Sequence, residues 1–434
     1  MYLMLRLDEA TPAFQAIEPV KDSLTMPRSL GSLEKRFWLL DQSTATHSVL
    51  AAEIEGRTAA EDWRLAFDIV QDRHPFCTSF TKPSDRSDSA FAQNANASIP
   101  LRIFSNREPA DWTKVVEGEL ATPFSAYGAP PLRAVVLHQP ERSVLILSAH
   151  HTLSDGVALS YLIRDIVKVV ADEQPDTLRT PRSLHESVES APNSPRAACR
   201  RERLHAARYE TSAQKGLEKI PSVDRLQMSQ GFTSKLSERA EEEATTVHSA
   251  LCAAIVVAGR AMSERWKETT IRVLSPVNIR KAAGVNEDFD LYITSTVASF
   301  EPQTTSGFWN LARFIKRGLT VPVSLQNLAD QTGALKKVFD ASEWDAAAET
   351  LTRRMARELM LTNLGRIPFG TGIGRLQISS IWGPLALPGH PGEQTVGVAT
   401  TNGALSMVIA TRTPMPGLLD HSARILAGAC EAAE

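Results

Sequence analysis

Apolar residues along this chain repeat with two different periods, and the change from one to the other marks its elements. Ser143-Val144-Leu145-Ile146-Leu147-Ser148-Ala149 is an apolar run of strand length, while Val157, Leu159, Leu162, Ile163, Ile166 and Val169 fall at helical spacing between Val157 and Val170. A strand, a short turn and a helix are therefore predicted in succession. Upstream, Ser32 to Leu40 reads as a short amphipathic helix with Leu33, Phe37, Trp38 and Leu40 on its apolar side, and His47 to Ile54 reads as a strand. Thr58-Ala59-Ala60-Glu61 predicts a helix start, Thr58 as N-cap and Glu61 completing a capping box. That helix runs to about Arg73 and buries Trp63, Ala66, Phe67, Ile69 and Val70. Further strands are predicted at Phe76–Thr81, Leu101–Phe104 and Leu132–His138. Pro12, Pro19 and Pro27 make the first thirty residues irregular.

The pattern changes between Asp172 and Ser222, where Pro175, Pro181, Pro192 and Pro195 lie among many charges. Asp172–Ser194 reads as a linker and Pro195–Lys215 as a mostly exposed helix. Near Asp224 a second folded unit begins. It holds a long buried helix from Glu241 to Ala261, a strand at Thr270–Leu274, and a helix from an N-cap at Ser306 through Lys316. Strands at Leu376–Ile381, Val396–Thr401 and Ala404–Thr411 follow, the last two joined by the hairpin signal Asn402-Gly403. A chain of 434 residues exceeds one ordinary core, so an α/β protein of two halves with mixed sheets is expected: residues 1–175, a linker and exposed helix over 176–222, and residues 223–434.

Composition narrows the partners. With 43% apolar and 22% charged residues the chain is of globular type, and a net charge of −3 implies no general attraction to nucleic acid or an anionic membrane. The basic cluster Arg196, Arg200, Arg201 and Arg203 reads as a solvated helix face. The longest apolar run, about Ser249 to Met262, is shorter than the roughly 20 residues a membrane helix needs, and Met1 to Leu7 is too short for a signal peptide. Cys77, Cys199, Cys252 and Cys430 form no C-x-x-C pair, which removes zinc and redox motifs and suits a reducing cytoplasm; Cys252 reads as a buried thiol. Gly370-Thr371-Gly372-Ile373-Gly374 lacks the spacing and lysine of a phosphate loop and reads as a turn.

The chemistry concentrates in the turn between the predicted strand and helix, His150-His151-Thr152-Leu153-Ser154-Asp155-Gly156, an H-H-x-x-x-D-G pattern. A loop at a strand end presents a side chain to a cleft while the scaffold holds it. Successive strand residues point to opposite faces, so one of the two histidines enters the cleft. An imidazole there can take the proton of an attacking hydroxyl or amine. Acyl transfer from a thioester asks for little more. The leaving group is already good, no serine or cysteine nucleophile is needed, and backbone N–H groups at the helix start are candidates to stabilise the oxyanion. Asp155 can accept from an imidazole or pair with an arginine to hold the loop, and Gly156 gives the turn backbone freedom. Adjacent histidines lack the i, i+4 spacing of a zinc-protease helix, so no metal is expected.

These residues resemble the condensation-domain superfamily of acyltransferases, which includes condensation domains of nonribosomal peptide synthetases, polyketide-associated acyltransferases and alcohol acetyltransferases. Gly31 to Leu40 is similar to the family's S-x-x-Q-x-R-x-W-x-L segment: Arg36, Trp38 and Leu40 match, while Gly31 and Glu34 replace serine and glutamine. Arg73 to Phe80 is similar to R-H-P/E-x-L-R-T-x-F, one residue shorter and interrupted at Cys77. Ser380-Ile381-Trp382-Gly383-Pro384 is a partial echo of the plant-type D-F-G-W-G. The resemblance implies two chloramphenicol-acetyltransferase-like halves forming a pseudo-dimer, with the active site between them and a monomer sufficient for function. It implies His151 as general base, His150 as structural, Asp155 paired with an arginine of the second half (Arg280 in Ser275-Pro276-Val277-Asn278-Ile279-Arg280), and Asn363 facing the site. It implies no resident cofactor. The donor it implies is acyl-CoA or a phosphopantetheinyl acyl carrier protein, and the expected acceptor is a small-molecule alcohol, giving an ester. An amine acceptor, giving an amide, and a non-catalytic carrier-docking module are the alternatives. A chain without attached carrier or adenylation domains favours a discrete acyltransferase.

Overall fold

The computed structural model describes residues 24–41, 46–82, 90–94, 97–105, 111–124, 130–175, 220–302, 307–321, 323–341, 344–387, 390 and 392–431. In chain order its strands are β1 (Leu24–Ser29), β2 (His47–Glu55), β3 (Ser79–Lys82), β4 (Ala90–Asn94), β5 (Leu101–Ser105), β6 (Leu132–Gln139), β7 (Arg142–His150), β8 (Ser222–Gln227), β9 (Ile271–Asn278), β10 (Ile293–Phe300), β11 (Leu359–Arg366), β12 (Gly372–Ile373), β13 (Leu376–Ala386), β14 (Gln394–Thr401) and β15 (Ala404–Thr411). The helices that frame the site are α1 (Ser32–Asp41), α2 (Ala60–Arg73), α3 (Trp112–Ala121) and α4 (Gly156–Val170).

Two six-stranded mixed sheets carry the two halves, with orders β12-β13-β2-β7-β6-β5 and β10-β9-β11-β14-β15-β8; β1, β4 and β3 form a small third sheet. The central strands β2 and β7 of the first large sheet are buried on both faces, in keeping with their largely apolar sequences. Leu50, Ala52 and Ile54 of β2 meet α2 and α4 on one face. On the other, Val49 and Ala51 meet Trp112 and Val116 of α3 together with Val408 and Ala410 of β15, so one apolar layer joins the halves. The helices Val247–Met262, Phe308–Leu319 and Leu418–Glu431 cover the outer face of the second sheet.

The division by sequence does not coincide with the division by sheets. β13 pairs antiparallel with β2 from Gln377↔Glu55 to Ala386↔Ser48, so residues 372–386, counted with the second half, complete the sheet of the first. Trp382 anchors this exchange by donating its indole N–H to Glu53 at 3.0 Å.

Several expected elements shift. The helix foreseen from Glu241 to Ala261 starts later and runs Val247–Met262, and a separate helix, Gln230–Glu242, precedes it at a bend of 99°. Ala244 turns the chain at φ 52°, and Thr246 caps the second helix by accepting the Ser249 N–H at 3.1 Å. The N-cap of α2 is Ala59 rather than Thr58. Asp62, not Glu61, reaches back to the cap N–H at 2.8 Å, while the Thr58 hydroxyl accepts from the Trp63 indole at 3.4 Å. Pro75–Thr78 is a 3₁₀ turn ahead of β3 rather than part of a strand. Asn402 and Gly403 adopt φ 52° and 79°, as the hairpin signal requires. Cys252 is fully buried, and burial pushes its thiol pKa up. Residues 1–23, most of the predicted linker, the helix Pro195–Lys215 with its arginine cluster, Cys199 and Ser306 lie outside the described residues. No single helix among those described is long and apolar enough to cross a membrane.

Candidate active site

His151 follows the last residue of β7, and its N–H is tied to the Thr46 carbonyl at 2.9 Å. Its Nδ1 lies 3.2 Å from the Ser154 carbonyl oxygen, which can only accept, so Nδ1 carries the proton and Nε2 the lone pair. Phe37 of α1 stacks on the ring at 4.8 Å and fixes its plane. Burial, outweighing the Ser154 hydrogen bond, lowers the imidazole pKa to about 4, so the ring is neutral at pH 7 and able to accept a proton.

The ring lines a cavity of about 110 Å³ between the halves. Its walls come from α1 (Arg36, Phe37), from β9 and β10 (Leu274, Pro276, Ile293, Ser295), from β11 (Met360, Thr362) and from the exchanged strand β13 (Pro384, Leu385, Ala386). His150 is not among the lining residues. The Thr152 N–H donates to its Nδ1 at 3.1 Å, so its proton sits on Nε2, 3.2 Å from Asp41. His150 thus ties the loop to α1.

Asp155 is 1% exposed and caps α4, accepting the N–H groups of Val157 and Ala158 at 3.0 Å each. It also accepts from Arg280 Nη1 at 2.9 and 2.7 Å and from the Tyr292 N–H at 2.8 Å. Arg280 in turn donates to the Asp290 carbonyl at 3.0 Å. Of the two roles open to Asp155, the structure shows the arginine pair. Because Asp155 takes the N–H groups of Val157 and Ala158, those two donors at the helix start are not available to an oxyanion.

Two expectations are corrected. Gly156 is not in a left-handed conformation; a Cβ there would lie 2.5 Å from Pro384 Cγ and 3.3 Å from Leu364 Cδ2, so glycine is needed for close packing against β13. Asn363 is not among the cavity-lining residues. β11 turns Met360 and Thr362 inward, whereas Leu359 and Leu361 face the helical core, and Asn363 shares their parity. Its Oδ1 accepts the Gly365 N–H at 2.7 Å, forming a local turn.

The Arg73-His74 pair serves a buried ionic cluster. Asp165 of α4 accepts from Arg73 Nε at 2.6 Å, from His74 Nε2 at 2.8 Å and from Arg164 at 2.7 Å. Burial alone would raise its pKa, but these partners hold it at about 2. Arg73 and Arg164 continue to Glu287 at 3.2 and 2.6 Å, in the loop that carries Arg280 toward β10. No sequence period announces this cluster, since its members meet only in space. Glu34, the departure from the family glutamine, accepts the Gly31 N–H at 2.6 Å and so secures the first turn of α1. Among the described residues no group of His, Cys, Asp and Glu is arranged to hold a metal ion.

Comparison with known proteins bears on the fold. Residues 217–286 match the family model described as the phthiocerol/phthiodiolone dimycocerosyl transferase C-terminus. Gramicidin S synthase 2 of Brevibacillus brevis is 26% identical over 172 residues, 38% of this chain and 4% of that synthase. The chain thus spans a small fraction of that relative's length. The first condensation domain of the CDA synthetase superposes with a TM-score of 0.65 at 13% identity, over 93% of this chain and 96% of that one. The trichothecene 15-O-acetyltransferase TRI3 of Fusarium sporotrichioides superposes with a TM-score of 0.64 at 13% identity, over 94% of both chains. At this identity the two structural likenesses speak to the fold.

Proposed function

We propose that this chain, which resembles condensation-domain and polyketide-associated acyltransferases in sequence segments and in fold, moves an acyl group from a thioester to a hydroxyl. The observation that carries the reading is the His151 ring, with Nδ1 held by Ser154 and Nε2 left as acceptor on the wall of a cavity between the halves. As the acceptor oxygen attacks the thioester carbonyl carbon, its proton passes to Nε2 and the new C–O bond forms. The oxyanion then collapses, the C–S bond breaks, and the departing sulfur takes the proton back from Nε2. The donor is an acyl-CoA or an acyl group on a phosphopantetheinyl carrier protein; both present the same thioester. An alcohol acceptor gives an ester and an amine acceptor an amide, and the same proton transfer to Nε2 serves either.

The test is to supply acyl thioesters with alcohol and amine acceptors in competition and to repeat the assay with His151→Ala. Transfer to the alcohol by the wild type, and a drop of about 10²-fold or more in the variant, is the expected result. Equal transfer by both proteins removes His151 as base. Tight carrier binding with no turnover on any thioester supports the docking module instead.

A further inference from the structure

Among the described residues, the cavity wall carries one cation without a counterion. Arg36, on α1 beside Phe37, lines the cavity and is 9% exposed. Within that same set of residues its guanidinium makes no hydrogen bond or ion pair. Nε is buried without a partner, and the group lies over the Phe37 ring at 4.7 Å. The carboxylate two residues earlier, Glu34, is engaged with the Gly31 N–H. Other charges on the cavity wall are matched: Asp155 by Arg280 at 2.7 Å, and Arg357 by Glu393 at 2.7 Å. His390 adds no charge, because burial and then Arg357 and Arg272 lower its pKa to about 3. Burial and the neighbouring Arg357 also lower Arg36, to about 10, which leaves it protonated at neutral pH.

A buried guanidinium without an acceptor is costly, and the described residues supply none. Around it the wall is largely apolar, with Leu40, Leu274, Pro276, Ile293, Met355 and Met360. We propose that Arg36 anchors a carboxylate carried by one of the two substrates, which therefore has an apolar body and an acid group. One unmatched positive charge suits a monoanion, and the planar fork of the guanidinium suits a carboxylate's two oxygens. Arg36 and His151 both contact Phe37, so an acid held by the first brings the attached reacting group to the second. The ligand's role as a substrate rests on the acyl-transfer reading; its binding does not.

The experiment is calorimetric titration of the protein with a medium-chain carboxylate and with its primary amide. The wild type is expected to favour the carboxylate by about tenfold or more. Arg36→Gln abolishes the preference, Arg36→Lys keeps part of it, and His151→Ala keeps all of it. Two further ligands identify the substrate that bears the acid: an ω-carboxyalkyl pantetheine thioether for the acyl group, and a hydroxy acid for the acceptor. The one whose affinity depends on Arg36 is the carrier of the charge. Equal affinity for acid and amide in the wild type overturns the proposal without any variant. So does an undiminished preference in folded Arg36→Gln, or a loss of turnover in that variant with no carboxylate preference in any arm. Selective carboxylate binding by a protein that transfers no acyl group leaves this inference standing and removes the proposed reaction.

Discussion

Arg280 reaches from the second half of the molecule to the Asp155 carboxylate of the first, with Nη1 2.9 and 2.7 Å from its two oxygens and 125 residues of chain between them. Asp155 begins α4 and Arg280 follows β9, so this pair holds the His151 turn against the far wall of the cavity. Removing one partner strands a buried charge. Arg280→Ala is expected to lower stability by about 3–5 kcal/mol, read as a fall in the denaturant midpoint. An unchanged midpoint would show that the pair does not bind the halves.

The depressed pKa of His151 sets the pH profile of the proposed reaction. With a value of about 4, the ring is neutral through the whole physiological range. The rate constant kcat/KM should therefore be level from pH 8 to about 6 and fall only as the solution approaches pH 4. A half-maximal rate near pH 6.5 would mean that the ring is not desolvated as the structure has it.

Desolvated histidines also make the fold acid-sensitive. His47, His151 and His248 fall to about 4 and His390 to about 3, in each case first through burial, from an ordinary value of 6.5. Between about pH 6.5 and these values the unfolded chain binds protons that the folded chain refuses, so stability is complete above pH 6.5 and lost as pH falls. Thermal midpoints measured from pH 7.5 to 4.5 should decline steadily below pH 6.5. His248→Gln, which can keep the hydrogen bond to Ser275, should make the decline shallower. A flat profile contradicts the desolvation of these rings.

Gly156 meets β13 with no space to spare. In Gly156→Ala the new methyl group would lie 2.5 Å from Pro384, which lines the same cavity. The expected cost is about 1–3 kcal/mol, with affinity for any cavity ligand reduced as Pro384 is displaced. Wild-type stability and affinity in this variant would show that β13 yields freely.

A buried carboxylate organises the other side of the loop. Asp165→Asn keeps the side chain's shape but removes the charge that Arg73 and Arg164 share. The loss should exceed about 2 kcal/mol, because two buried guanidinium groups then face each other with Glu287 as their remaining acid. A protein as stable as the wild type in urea would assign the cluster no structural weight.

Local pattern determined much of this protein. The strand–turn–helix around His151, the hairpin at Asn402-Gly403 and the amphipathic α1 follow from periods and turn chemistry that neighbouring residues carry. The motif and the family resemblance it carries pointed to His151, Asp155 and Arg280. Other features depended on meetings across the chain. The passage of β13 into the first sheet, the packing demand on Gly156 and the Asp165 cluster join residues scores to hundreds of positions apart, and the inward side of β11 that excludes Asn363 is set by what packs on either face of that strand. Hydrophobic period sets which face of an element is buried, but which partner covers that face is decided by the packing of both halves together. The same holds for charge: Arg36 is one arginine among many in the sequence, and only its place on the cavity wall sets it apart from the acids that neutralise the others there.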